Sequence, residues 1–191
     1  MKKSVVLSGP PAIGKTTVAK GLADEFNLKY LSGGDILKEL ASEQGFSSSG
    51  NDWWDTEDGM KFLAQRKDNP EFDKKVDEKL IQLFETGNVV ITSYTLPWLT
   101  DNGIKIWLDG TVENSAKRMQ NRDNMDENLA LDVVKKRYNE NKIIYKELYG
   151  FEFGEDLSVF DKIIKTDGLN VEQVLEIAKS TVREFFDTKT T

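Results

Sequence analysis

Gly9-Pro10-Pro11-Ala12-Ile13-Gly14-Lys15-Thr16-Thr17 is the stretch whose reading decides the fold. It matches the phosphate-loop pattern G-x-x-x-x-G-K-[ST] at every fixed position. Gly9 and Gly14 admit backbone angles closed to other residues, so successive N–H groups can turn inward around an anion at a helix N-terminus. Lys15 adds charge where the β- and γ-phosphates of a nucleoside triphosphate would lie, and the Thr16 hydroxyl is placed to hold Mg²⁺. The whole loop, with Pro10, Pro11, Ala12, Ile13 and Thr17, is therefore the expected binding site for a nucleoside triphosphate.

The flanking sequence supplies the setting that the motif needs. Ser4-Val5-Val6-Leu7-Ser8 is a short apolar β-type run, and Val18, Leu22 and Phe26 recur at helical spacing. Strand, loop and helix thus follow in the required order, which an ordinary glycine turn would not require.

Composition narrows the chemistry. The chain has 191 residues, a length that suits one α/β domain with an insertion. Net charge is −7 and no run of Lys or Arg marks a basic face, so no nucleic-acid partner is expected. There is no Cys and no His, which removes disulfides, thiolate metal sites, thiol nucleophiles and imidazole acid–base chemistry. Carboxylates, Lys, Arg, hydroxyls and a bound metal remain. No segment reaches the ~18 apolar residues of a membrane span, and the expectation is a cytoplasmic monomer.

Further along, Lys29-Tyr30-Leu31 reads as a second strand ending in Ser32-Gly33-Gly34-Asp35, and Ile36, Leu37, Leu40 and Ala41 trace a helix. Residues 45–58 lose periodicity and read as a loop containing Trp53-Trp54. Phe62-Leu63 resumes helix; Pro70 suits a first turn, and Phe72, Val76, Leu80 and Leu83 run to a stop at Gly87. Val89-Val90-Ile91 and residues 104–108 are strands, and Thr111 caps a helix reaching Arg122. A long helix carries Leu129, Val133, Val134, Tyr138, Tyr145 and Leu148 on one side and closes at Gly150. Phe160 to Ile164 is the last strand, Asn170-x-x-Gln173 is a capping box, and the final helix ends near Phe186, leaving residues 187–191 as a disordered tail. Alternating strands and helices imply a parallel sheet covered on both faces.

With that order in place, the chain resembles the nucleoside monophosphate kinases, and among them the archaeal-type cytidylate kinases. The resemblance covers roughly residues 4–180. It rests on the phosphate loop, Ser32-Gly33-Gly34-Asp35-Ile36, Asn69-Pro70-Glu71-Phe72-Asp73 with Val76-Asp77, Lys105-Ile106-Trp107-Leu108, Tyr145-x-x-Leu148-Tyr149-Gly150 and Asp156-Leu157-Ser158-Val159-Phe160-Asp161. It implies a five-stranded sheet in the order 2-3-1-4-5, an acceptor-binding insertion near residues 33–86 and a short lid near 118–142. It also implies transfer of the γ-phosphoryl of ATP to CMP or dCMP, with Arg118, Arg122 and Arg137 closing over the transferring group.

The chain departs from the family at two acceptor positions. Thr92-Ser93-Tyr94-Thr95 stands where the family has Glu-Gly-Arg-Leu, so Tyr94 replaces an acceptor-phosphate arginine, and Lys38 stands for a second arginine. The planar guanidinium grips a phosphate bidentately, whereas an ammonium is a point charge. Arg66, Lys74 and Lys75 are candidate stand-ins, or else surface charges.

Ser32, Gly34, Asp35, Lys38, Arg66, Asp73, Asp77 and Tyr94 are the candidate acceptor contacts. Asp35 is either a helix N-cap or a base for a hydroxylated acceptor. Asp73 and Asp77, one turn apart, either read a base or belong to a charged surface. Trp53-Trp54 either stack on a base or pack. Arg118 and Arg122, at i and i+4, point toward the polar segment 123–128 or out to solvent. Asp109, ending a strand, would suit a P-loop ATPase switch, although Gly110 and a helix cap follow it as they follow a turn residue.

Overall fold

The structure is a computed structural model, and it describes residues 3–46 and 71–188. The expectations for Trp53, Trp54, Phe62, Leu63, Arg66, Asn69 and Pro70 lie outside the described residues.

Strand β1 (Ser4–Ser8) is buried along its whole length, as a central parallel strand must be when helices cover both faces. It feeds the phosphate loop and α1 (Lys15–Phe26); β2 (Lys29–Ser32) and α2 (Gly33–Glu43) follow. From residue 71 the chain forms α3 (Glu71–Thr86), β3 (Val89–Thr92), the short α4 (Leu96–Leu99) and β4 (Ile104–Asp109). Helices α5 (Val112–Asp123) and α6 (Glu127–Tyr149), strand β5 (Lys162–Lys165) and α7 (Val171–Thr188) complete it. The five strands form one all-parallel sheet in the order β2-β3-β1-β4-β5, as the resemblance implied.

The period of two along β1 sorts its side chains between two cores. Val5 and Leu7 join Val18 and Leu22 of α1 and Val174, Val182 and Phe186 of α7. Val6 turns to the other face, where Ile36, Leu37, Leu80 and Phe84 bring in α2 and α3. A third cluster, Ala116, Met119, Ala130 and Val134, holds α5 to α6. A fourth is aromatic: Trp107, Tyr145 and Phe153, with Tyr94, Trp98, Tyr138, Phe151 and Phe160 around them.

The caps read from sequence are present. Thr111 Oγ accepts from Asn114 N at 3.2 Å, and Asn170 and Gln173 exchange two bonds of 2.9 Å. Three expectations shift. Helix α7 continues through Asp187 and Thr188, with the Thr188 hydroxyl donating to the Glu184 carbonyl at 2.9 Å, so these two residues are not tail. Strand β5 begins at Lys162 because Phe160 N–H turns back to the Leu157 carbonyl. Leu129 is 53% exposed, since the packed edge of α6 runs through Ala130 and Val134 instead. Among the described residues no helix is long and apolar enough to cross a membrane.

Candidate active site

The phosphate loop is shaped by close backbone approach. Gly9 sits at φ +146°, and a Cβ there would lie 2.4 Å from the Leu108 carbonyl oxygen at the end of β4. Gly14 sits at φ +103°, and a Cβ there would lie 2.9 Å from Arg118 Nη1. Ala12 is held at φ 60°, a left-handed conformation that costs a non-glycine residue roughly 1 kcal/mol and that sites of function tend to keep. Lys15 Nζ donates to the carbonyls of Gly9 (2.9 Å) and Pro10 (2.7 Å) and lies 4.5 Å from the centre of the Tyr94 ring. Burial, and then the charge of Arg137, lower its pKa to about 7.

Thr16 and Thr17 are exposed in the first turn of α1. Among the described residues no three acidic side chains gather as a metal cage. The Thr16 hydroxyl could supply one oxygen ligand to a Mg²⁺, an ion that keeps much of its hydration.

Helices α5 and α6 pack together through Met119 and Val134 and carry the three arginines, of which Arg118 and the charge of Arg137 reach this loop. Arg118 bonds back to Asn114 Oδ1 at 3.3 Å and reaches Gly14, so it faces the phosphate loop and not the segment 123–128 that its spacing with Arg122 suggested. Arg122 is exposed and grips Asp123 through two 2.6 Å bonds. Arg137 is exposed on α6, and its charge reaches both Lys15 and Tyr94. The charge of Arg122 also reaches Tyr94, whose phenol is nevertheless pushed up by burial.

On the acceptor side, Ser32 is the N-cap of α2. Its hydroxyl accepts from Asp35 N at 3.1 Å and donates to Asp35 Oδ2 at 2.7 Å. Asp35 is thus the third helical residue, bonded to the cap's hydroxyl through both its N–H and its carboxylate, and not itself the cap. Gly34 is exposed in the same turn, and Lys38 is half-buried one turn on. Tyr94 follows β3 and packs on Phe153 and Tyr145, with centroids 5.6 and 6.3 Å away.

Asp73 is half-buried on α3, whereas Asp77 is buried and belongs to no solvated face. Asp77 Oδ1 accepts from the Thr95 hydroxyl at 2.5 Å and Oδ2 from the Tyr149 hydroxyl at 2.6 Å. Sequence reasoning gave Thr95 and Tyr149 no role. The only local signal was a tyrosine set beside the glycine that ends α6.

The chain matches the model of the cytidylate kinase-like family over residues 5–168. A cytidylate kinase of Methanocaldococcus jannaschii is 33% identical over 93% of this chain and 96% of its own length, and one from Staphylothermus marinus is 32% identical over 95% and 97%. Among solved structures, an uncharacterized protein from Eubacterium ventriosum superposes with a TM-score of 0.67 at 19% identity, covering 96% of this chain and 99% of that one. A shikimate kinase from Bacteroides thetaiotaomicron gives 0.58 at 17%, covering 98% and 99%, and shares the fold. The chain, with its phosphate loop and converging arginines, belongs to the cytidylate kinase-like family.

Proposed function

We propose that this chain is an ATP- and Mg²⁺-dependent nucleoside monophosphate kinase whose acceptor is CMP or dCMP. The observation that carries the reading is the convergence of Lys15, Arg118 and the charge of Arg137 on one phosphate loop, with Tyr94 beneath Lys15. The names of the relatives supply the acceptor class.

A monophosphate is largely ionised at neutral pH, so its attacking oxygen needs no general base, in keeping with a chain that has no His. Catalysis reduces to positioning and neutralisation of charge. Loop N–H groups and Lys15 hold the donor phosphates, while Arg118, Arg122 and Arg137 stabilise the transferring group. Mg²⁺, when bound at Thr16, shields the donor oxygens. Ser32, Gly34, Asp35, Lys38, Arg66, Asp73, Asp77 and Tyr94 form the acceptor side, with Lys38 carrying charge that Tyr94 does not.

A coupled assay with ATP against CMP, dCMP, UMP, AMP and GMP tests the reading, with hydroxylated metabolites and an acceptor-free arm as controls. Turnover is expected with CMP or dCMP. Turnover of an alcohol alone would overturn the reading in favour of Asp35 as a base, and acceptor-independent hydrolysis would favour an ATPase.

A further inference from the structure

Asp77 joins three parts of the molecule that are far apart in the sequence. Its carboxylate lies on α3 and is 6% exposed. Thr95, one residue beyond Tyr94, takes one oxygen, and Tyr149, the last residue of α6, takes the other, across sequence separations of 18 and 72 residues. A buried carboxylate is costly unless hydrogen-bonded, so each donor also stabilises the position of the element that carries it. Thr95 is held in turn by Ser93, whose hydroxyl lies 3.2 Å from its own and also accepts from Thr95 N.

The Tyr149 end of α6 is well anchored. Lys142 pairs with Glu155 at 2.8 Å, Tyr145 packs on Phe151 and Phe153, and Tyr149 stacks on Phe151 with centroids 6.1 Å apart. Gly150, at φ +77°, then ends the helix. Arg137 lies about three turns back along the same rod. A small rotation of α6 about its Tyr149 end would therefore be felt at Arg137. Burial and the Asp77 carboxylate both push the Tyr149 phenol up, so it remains a donor at neutral pH.

We propose that Asp77, bridged to Thr95 and Tyr149, is a positioning residue that couples acceptor occupancy along α3 and the Tyr94 turn to the placement of α6 and its Arg137. The inference rests on the nucleoside monophosphate kinase reading. It assigns Asp77 a task other than hydrogen bonding to a base: the donors from the protein orient its carboxylate toward the lid helix and the Tyr94 turn. Coupling of this kind is a free energy shared by two sites, so it is measurable from either one.

The test measures the Kd of a non-hydrolysable ATP analogue with and without saturating CMP, and the Kd for CMP without the analogue, alongside kcat, KM and Tm, in the wild type and in Tyr149→Phe, Thr95→Val and Thr95→Ser. CMP is expected to tighten analogue binding in the wild type by roughly 5-fold or more, the low end of common couplings. In Tyr149→Phe and Thr95→Val that factor is expected to fall toward one and kcat to drop, while the Kd for CMP in the absence of the analogue moves less than about 2-fold. Thr95→Ser, which keeps the hydroxyl, is expected to restore both. If Tyr149→Phe does not fold, Thr95→Val reads the same factor.

A folded Tyr149→Phe that keeps the full coupling would overturn the proposal and leave a structural cross-link. A large rise in KM for CMP with the coupling intact would overturn it in favour of a base-reading Asp77. A wild type that turns over CMP without coupling the two ligands would sink the proposal alone, whereas a wild type that binds CMP but never phosphorylates it would sink the kinase reading.

Discussion

The two sides of the proposed site, a donor wall around Lys15 and an acceptor wall around Asp77 and Tyr94, meet where Lys15 lies 4.5 Å from the Tyr94 ring but are built by different means. The donor wall is local: Lys15 bonds to carbonyls five and six residues away, and its shape follows from backbone angles at Gly9, Ala12 and Gly14. The acceptor wall is assembled at long range, with Asp77 satisfied by residues 18 and 72 positions distant and Tyr94 wedged among Tyr145 and Phe153. A wall defined by backbone geometry tolerates little sequence change. A wall defined by side chains from several elements leaves more room for exchange at any one position.

The sharpest way to break this contrast is at Lys15. Lys15→Ala is expected to lower kcat/KM by at least ~10²-fold, the scale for losing a preorganised charge at a transition state. The fold should survive, because no strand pairing involves Lys15. Steady-state kinetics with circular dichroism decide it: near-normal activity in a folded variant would remove the donor wall from catalysis.

Next comes the acceptor wall. Lys38→Ala is expected to lower kcat/KM for CMP by about 2–3 kcal/mol, mostly through KM, with ATP affinity nearly constant. Tyr94→Phe should cost less, because the ring under Lys15 stays and only the hydroxyl goes. If Tyr94→Phe alone destroyed acceptor kinetics, the phosphate would not sit against Lys38, and a neutral hydroxylated acceptor would gain ground.

Arg122, on α5, sharpens the comparison from the proposed lid. It is exposed and paired with Asp123, so its grip on a phosphate requires exchanging that partner. Arg122→Ala is expected to lower kcat by roughly 10-fold while moving the Kd for ATP less than 2-fold, as suits an interaction made in the closed state. Isothermal titration beside kinetics separates the two, and an effect on Kd alone would make Arg122 a surface charge.

The same contrast explains what sequence could show. The phosphate loop and the caps at Thr111 and Asn170 follow from short-range patterns and were legible, whereas the strand order was supplied by the family resemblance. The cap of α2 is Ser32 and not Asp35, for which a cap was one of two readings, since Ser32 and Asp35 are both good capping types and only geometry says which begins the helix. Asp73 and Asp77 look alike in a run of charges, yet one is half-buried and the other is bonded to two distant hydroxyls. The direction of Arg118 was likewise hidden, because an i,i+4 pair shares a face without stating what that face meets.

The smallest expected effect concerns the cost of the donor wall in the absence of nucleotide. Burial, with Arg137 nearby, holds Lys15 near a pKa of about 7, well below the ~10.4 of an unfolded lysine. Between those values the unfolded chain binds the proton and the folded chain does not, so this group makes stability rise with pH across that window. Below pH 7 both states carry the charge and the folded state bears the full desolvation cost. Lys15→Met, which keeps length and removes charge, should therefore be more stable than the wild type at neutral pH, by on the order of 1 kcal/mol once solvent screening and the two lost carbonyl bonds are counted. That advantage should shrink as pH rises from 7 toward 10. Denaturant unfolding of the two proteins without nucleotide at pH 6.5, 8 and 9.5 measures it. A difference that stays constant with pH would mean that Lys15 keeps an ordinary pKa, and that the donor wall stores no electrostatic strain for ATP to relieve.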